Sequence, residues 1–149
     1  MKDMHRNVML LAAIVLLLGS TLVDKIEVNQ AVAAQPARAQ KWQDLGKTSS
    51  GNMVSVDPAS IKHANGLVTA TVRVVFDPPV KAARGMWGSS KTTATFDCAK
   101  KSLAAKQSVF YSDAKGTKEV ERNVLKKPGY GPALKGSMGQ IAMDYLCRK

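Results

Sequence analysis

The sequence predicts an α+β domain: an antiparallel sheet of about six strands, with a C-terminal helix packed on one face and tied by a disulfide. Three observations predict it. Over residues 67–76, Val68, Ala70, Val72, Val74 and Phe76 fall on one face and Leu67, Thr69, Thr71, Arg73 and Val75 on the other. That is the period of a strand, and its residues are β-branched throughout. Near the C-terminus, Met138, Ile141, Ala142, Tyr145 and Leu146 recur at helical spacing and form one apolar stripe. The chain has two cysteines, Cys98 after a strand-like segment and Cys147 at the end of the predicted helix.

The N-terminus has the order of a secretory signal peptide. Lys2, His5 and Arg6 precede an unbroken apolar run over residues 8–18, and Gly19, Ser20 and Thr21 follow it. Ala31-Val32-Ala33 and Ala37-Arg38-Ala39 both fit the small-x-small cleavage rule, but Asp24, Lys25 and Glu27 separate them from the run. An uncleaved N-terminal anchor is the alternative. Residues 1–39 are thus read as signal and spacer, and residues 40–149 as one domain exported to the periplasm or the outer cell surface.

Export defines the chemistry open to the cysteines. In an oxidising compartment, two cysteines permit a single intramolecular pairing, Cys98 with Cys147. A redox motif wants Cys-x-x-Cys, and a zinc site wants more ligands than His63 supplies. The charge is strongly positive, with 22 Lys and Arg against 11 Asp and Glu. Without residues 1–39 the balance is 18 against 8, or +10. Such a surface attracts anionic polymers. The longest basic runs, however, are Lys100-Lys101 and Lys126-Lys127, which also suit simple solubility and specify no nucleic acid.

The remaining elements follow in order. Residues 41–45 alternate and suggest a first short strand. Ser49-Ser50-Gly51-Asn52 is a turn, residues 53–56 a second strand, and Asp57-Pro58 ends it. Residues 58–61 read as a tight turn or one helical turn, and Asn65-Gly66 as a hairpin. After the long strand, Asp77-Pro78-Pro79 reads as a stop and residues 81–90 as a long loop. Residues 92–98, 103–111 and 117–124 read as three more strands, with a turn at residues 112–116. A Pro- and Gly-rich crossing at residues 128–132 leads to the helix. Ser137 with Gln140 three residues on gives that helix a capping-box pattern.

No catalytic constellation emerges, and the chain reads as a non-enzyme without a cofactor or metal. His63 is alone, and Asp57, Asp97 and Asp113 are widely separated. Asp97 reads as a cap for nearby backbone. No Gly-x-Ser-x-Gly elbow is present, and Gly129-x-Gly131 lacks a phosphate loop's ending. Trp42 reads as core. Trp87, between Gly85 and Gly88 and near Arg84 and Lys91, reads as a surface residue able to stack on a ligand. Arg84, Trp87, Lys91 and Tyr130 form the candidate ligand-binding set.

The ordered landmarks resemble the surface-adhesin protein E family. They are Trp42, Val56-Asp57-x-x-Ser60-Ile61, the long Val-rich strand, Ser89-Ser90-Lys91, Asp97-Cys98, Phe110-Tyr111-Ser112 and Gly136-Ser137-x-Gly139, closing on a helix that ends in Cys147. Lys135 stands where the family usually has Pro, and Tyr130 near where it often has Trp. The resemblance implies an antiparallel sheet with a C-terminal helix bound by the Cys98–Cys147 disulfide. It also implies an envelope binding or adhesion module whose partner is a host extracellular-matrix or envelope protein. The alternatives are a basic periplasmic protein that binds anionic polymers, and a structural envelope protein that forms a homodimer or larger homo-oligomer.

Overall fold

In the computed structural model, which describes residues 41–148, the alternating Val-rich segment forms the central strand of a fully antiparallel sheet. The elements are β1 (Gln43–Lys47), β2 (Met53–Val56), β3 (Lys62–Ala64), β4 (Leu67–Ala82), β5 (Gly85–Asp97), β6 (Ser102–Tyr111), β7 (Glu119–Val124), β8 (Gly131–Pro132) and a single α-helix, α1 (Met138–Leu146). The strand order is β1-β2-β4-β5-β6-β7, with β3 on β4 and β8 on β6. The predicted signal and its cleavage sites lie outside the described residues.

Local chemistry explains the junctions. Asp57 caps a short 3₁₀ turn at Pro58–Ser60 by accepting from the Ala59 N–H. Asn65 and Gly66 adopt φ of 52° and 75° between β3 and β4, the two-residue hairpin geometry that demands positive φ at both positions. Ser137 Oγ accepts from the Gln140 N–H at 3.3 Å. The Gln140 side chain in turn accepts from the N–H of Gly136, one residue before the position a standard capping box uses.

Alternate residues of β4 fall into the core. Val68, Ala70, Val72 and Val74 are buried and cluster with Val54 and Val56 of β2, Ala94 and Phe96 of β5, and Ala142, Met143 and Leu146 of α1. The helix therefore lies on one face of the sheet, hereafter the helix face. Its buried side is Gly139, Ala142, Met143 and Leu146. Tyr145, expected on the stripe, is 37% exposed, because the buried arc is rotated toward Met143. At its C-terminus Cys147 is bonded to Cys98 just beyond β5, with Cα atoms 5.5 Å apart and a sequence separation of 49.

Two expectations need correction. Asp77-Pro78-Pro79 does not stop the strand: β4 runs on to Ala82, with a register break between Val75 and Val80. β2 begins at Met53, opposite Val75, so beyond Val75 β4 pairs with β5 alone, and prolines are tolerated on the free side. Residues 81–90 are not a long loop, because β5 begins at Gly85 and pairs with the extended β4. The six strands expected are those of the order β1-β2-β4-β5-β6-β7, and β3 and β8, too short to show a period, bring the sheet to eight.

Packing and the disulfide give three predictions. Phe96 is fully buried and the largest such side chain, so Phe96→Ala is expected to cost about 3–5 kcal/mol in denaturant unfolding. A Cβ on Gly88 would lie 2.6 Å from the Ser112 carbonyl oxygen, so Gly88→Ala should destabilise by about 1–3 kcal/mol. Closing the Cys98–Cys147 loop is worth about 4 kcal/mol in the chain-entropy description. Cys147→Ser should therefore lower the unfolding midpoint, with hydrogen exchange in α1 rising first.

Candidate functional site

The sheet has a second face, and strand alternation determines what it carries. Because Val72 and Val74 point to the helix, Arg73 points away from it. The registers then place one continuous row on this open face: Asp44 opposite Ser55, Ser55 opposite Arg73, Arg73 opposite Lys91, Lys91 opposite Val109, and Val109 opposite Arg122. The row crosses β1, β2, β4, β5, β6 and β7 and contains three cations. Beside it lies a hydroxyl ladder, with Thr71 and Thr93 Oγ1 atoms 3.1 Å apart and Thr69 and Thr95 also 3.1 Å apart.

Aromatic side chains frame the central cations. The Arg73 guanidinium lies 4.7 Å from the Trp42 ring centroid. Lys91 Nζ lies 5.8 Å from the same ring and 4.9 Å from the Tyr111 ring. These are cation–π distances. Lys91 also donates to the Gly116 carbonyl at 3.1 Å. Partial burial lowers the Arg73 guanidinium from its ordinary value, while nearby Asp44 opposes the shift. Arg73 still carries its charge at neutral pH. Asp44 itself accepts from Ser55 Oγ at 2.7 Å. Burial raises the Tyr111 hydroxyl pKa, and Glu119 adds to the shift.

The loop at residues 112–118 folds against the end of this face. Ser89 Oγ donates to the Asp113 carbonyl at 2.7 Å. The Asp113 carboxylate accepts from the Lys118 and Thr117 N–H groups and from the Thr117 hydroxyl. These bonds, led by the Lys118 N–H, hold its pKa down to about 2.

The four predicted ligand-binding residues do not converge. Arg84 is exposed in the turn between β4 and β5. Trp87 lies in β5, half-buried and stacked on Phe110 with ring centroids 4.0 Å apart. Lys91 belongs to the cation row. Tyr130 is 52% exposed just before β8, which pairs with Ser102 and Leu103 at the far end of β6 from Phe110. That separation is roughly 20–25 Å along the strand. Sequence reasoning placed Trp42 in the core, but it is half-buried on the open face over Arg73. Arg73 was not singled out at all; the signal available was a lone cation inside an otherwise apolar and Thr-bearing strand. His63 is exposed, and Asp97 accepts from the Lys100 N–H as expected of a cap.

On the helix face, a groove of about 530 Å³ opens beside the start of α1, with Val74, Phe76, Phe110, Leu134 and Met138 among its walls. Among the described residues, no three His, Cys, Asp or Glu side chains gather as a metal site would need, and no helix is long and apolar enough to cross a membrane.

The surface-adhesin protein E family model matches residues 42–148. The chain belongs to the surface-adhesin protein E family. Membership implies an exported cell-surface protein of adhesin type, and the family is not a known enzyme family. The fold agrees with that of Haemophilus influenzae protein E. Its crystal form II is 17% identical, with a TM-score of 0.51, and the match covers 75% of this chain and 90% of that one. The selenomethionine form is 18% identical, with a TM-score of 0.50, and the match covers 75% and 88% respectively. Comparison with curated proteins finds no match.

The Asp113 geometry predicts a pH dependence. An unfolded Asp titrates near 3.9, and the folded value near 2 lies below it. The carboxylate thus stabilises the fold above about pH 4, and that contribution disappears as pH falls from about 4 to about 2. Thermal melting should show Asp113→Asn to be less stable at neutral pH and to lose less stability than the parent over that acid interval.

Proposed function

We propose that this chain is a non-catalytic binding module of the cell envelope, displayed on the outer surface as an adhesin and engaging host surface molecules. The observation that supports this most directly is the extent of the family match, which takes in both faces of the sheet, the helix and both cysteines. An adhesin needs a rigid platform more than a reactive cleft. A sheet clamped to its helix by a disulfide is such a platform, and it suits an oxidising environment.

Assembly through the sheet edge is the less favoured reading. β7 ends the strand order and carries Glu119, Glu121 and Arg122, charges of the kind that discourage further strand pairing.

The test is surface labelling combined with adhesion. On intact cells, an antibody to this domain should label without permeabilising the outer membrane, and a deletion strain should adhere less to host extracellular matrix. Labelling only after permeabilisation would place the protein in the periplasm and overturn the adhesin reading.

A further inference from the structure

The open face holds an electrostatic arrangement that the fold alone does not account for. Arg73 and Lys91 are direct register partners on adjacent central strands, and like charges directly opposite each other oppose sheet formation. Their neighbours soften this without neutralising it. Trp42 and Tyr111 present ring faces to them, and the Gly116 carbonyl takes one Lys91 proton. Among the described residues neither cation has an ion-pair partner, whereas Lys100 pairs with Asp97 and Arg122 with Glu119. Asp44, the acid in the same row, is hydrogen-bonded to Ser55. Arg73 Nε is buried and has no hydrogen-bond partner among the described residues. Thr71 and Thr93, next to the two cations on the same face, bring a pair of hydroxyls.

We propose that Arg73 and Lys91 form an oxyanion-binding site for a sulfated or carboxylated polysaccharide lying across the open face. The inference rests on the binding-module reading above and names the chemistry of its ligand. A guanidinium and an ammonium side by side would grip a sulfate or carboxylate, the guanidinium with a planar fork and the ammonium as a point charge. The threonine ladder offers hydroxyls to the ring hydroxyls of a sugar chain. A polysaccharide suits this place better than an acidic peptide. The two cations sit in the middle of the sheet, where every backbone edge is already paired, so a peptide could not add as a strand. Arg122, two strands beyond Lys91 in the same row, is already held by Glu119, so Arg73 and Lys91 carry the site and the threonine ladder beside them gives it length for a sugar chain.

The experiment uses the full chain recovered from the envelope, titrated with heparin oligosaccharides and, separately, with poly-glutamate. The Arg73→Gln/Lys91→Gln double variant is compared with Lys126→Gln/Lys127→Gln, which removes equal charge from exposed positions off the row. Circular dichroism verifies folding of both, and Lys91→Gln alone serves if the double variant does not fold. Heparin binding should weaken about tenfold or more in the open-face variant and change little in the control, since each site cation makes a charge-assisted bond. Equal losses in the two variants would reduce the effect to net charge and overturn the site. Preference for poly-glutamate would overturn the polysaccharide assignment. Absence of heparin binding in the parent, with surface labelling and matrix adhesion intact, would overturn this inference while leaving the adhesin reading standing.

Discussion

The alternation of β4 governs the rest of the molecule. Once Val68, Ala70, Val72 and Val74 turn toward one side, a slip of a single residue would carry all four to the opposite face. The register is thus set by burial, and every neighbouring strand inherits it. β2 brings Val54 and Val56 to the same side, and β5 brings Ala94 and Phe96. The same rule sends Arg73, Lys91 and the four threonines outward together. The cation row is thus a geometric consequence of the core, since nothing local to Arg73 places it opposite Lys91.

The helix depends on that core in turn. A nine-residue helix has little stability alone. It is held at the start by its Ser137 cap and by Gly136, whose carbonyl accepts from the Ser49 N–H at 2.9 Å. It is held at the end by the bond to Cys98. Close packing also limits its residues: a Cβ on Gly139 would fall 2.6 Å from a methyl carbon of Leu103. Fastening both ends lets a short helix cover the helix face with only three buried side chains, Ala142, Met143 and Leu146.

What the sequence reveals about this fold divides along local and non-local lines. β2, the Asn65-Gly66 hairpin, the first part of β4, the helix with its cap, and the cysteine pair are all legible, because each is written in a few adjacent residues or in one period. The first half of β5 is not. Gly85, Trp87 and Gly88 have the composition of a loop, and only pairing with the extended β4 makes them a strand. The Pro78-Pro79 segment misleads for the same reason, since a proline's missing N–H matters only where a partner strand is present to receive it. The candidate site was the least legible part. Its row draws on residues 44, 55, 73, 91, 109 and 122, and their adjacency exists only after five strand registers are fixed. Lys91 could be found from its loop-like surroundings, but its partner Arg73 is concealed inside the clearest structural strand in the chain.

This separation of tasks between the faces bears on how a fold can persist at 17% identity. The helix face carries the buried valines, Phe96 and the disulfide-anchored helix, so substitutions there are penalised through cavities and lost packing. The open face carries half-buried Arg73 and Lys91 between small side chains that are themselves buried, Ser55 and Val109 among them, so substitutions there are limited at the row's centre and freer at its exposed ends. Two opposed cations with no ion-pair partner among the described residues, set in aromatic frames at the centre of the sheet, suit the anionic ligand proposed above. Likeness in fold therefore says little about whether relatives share this site, because the features that define the fold and those that define the row lie on opposite sides of the same strands.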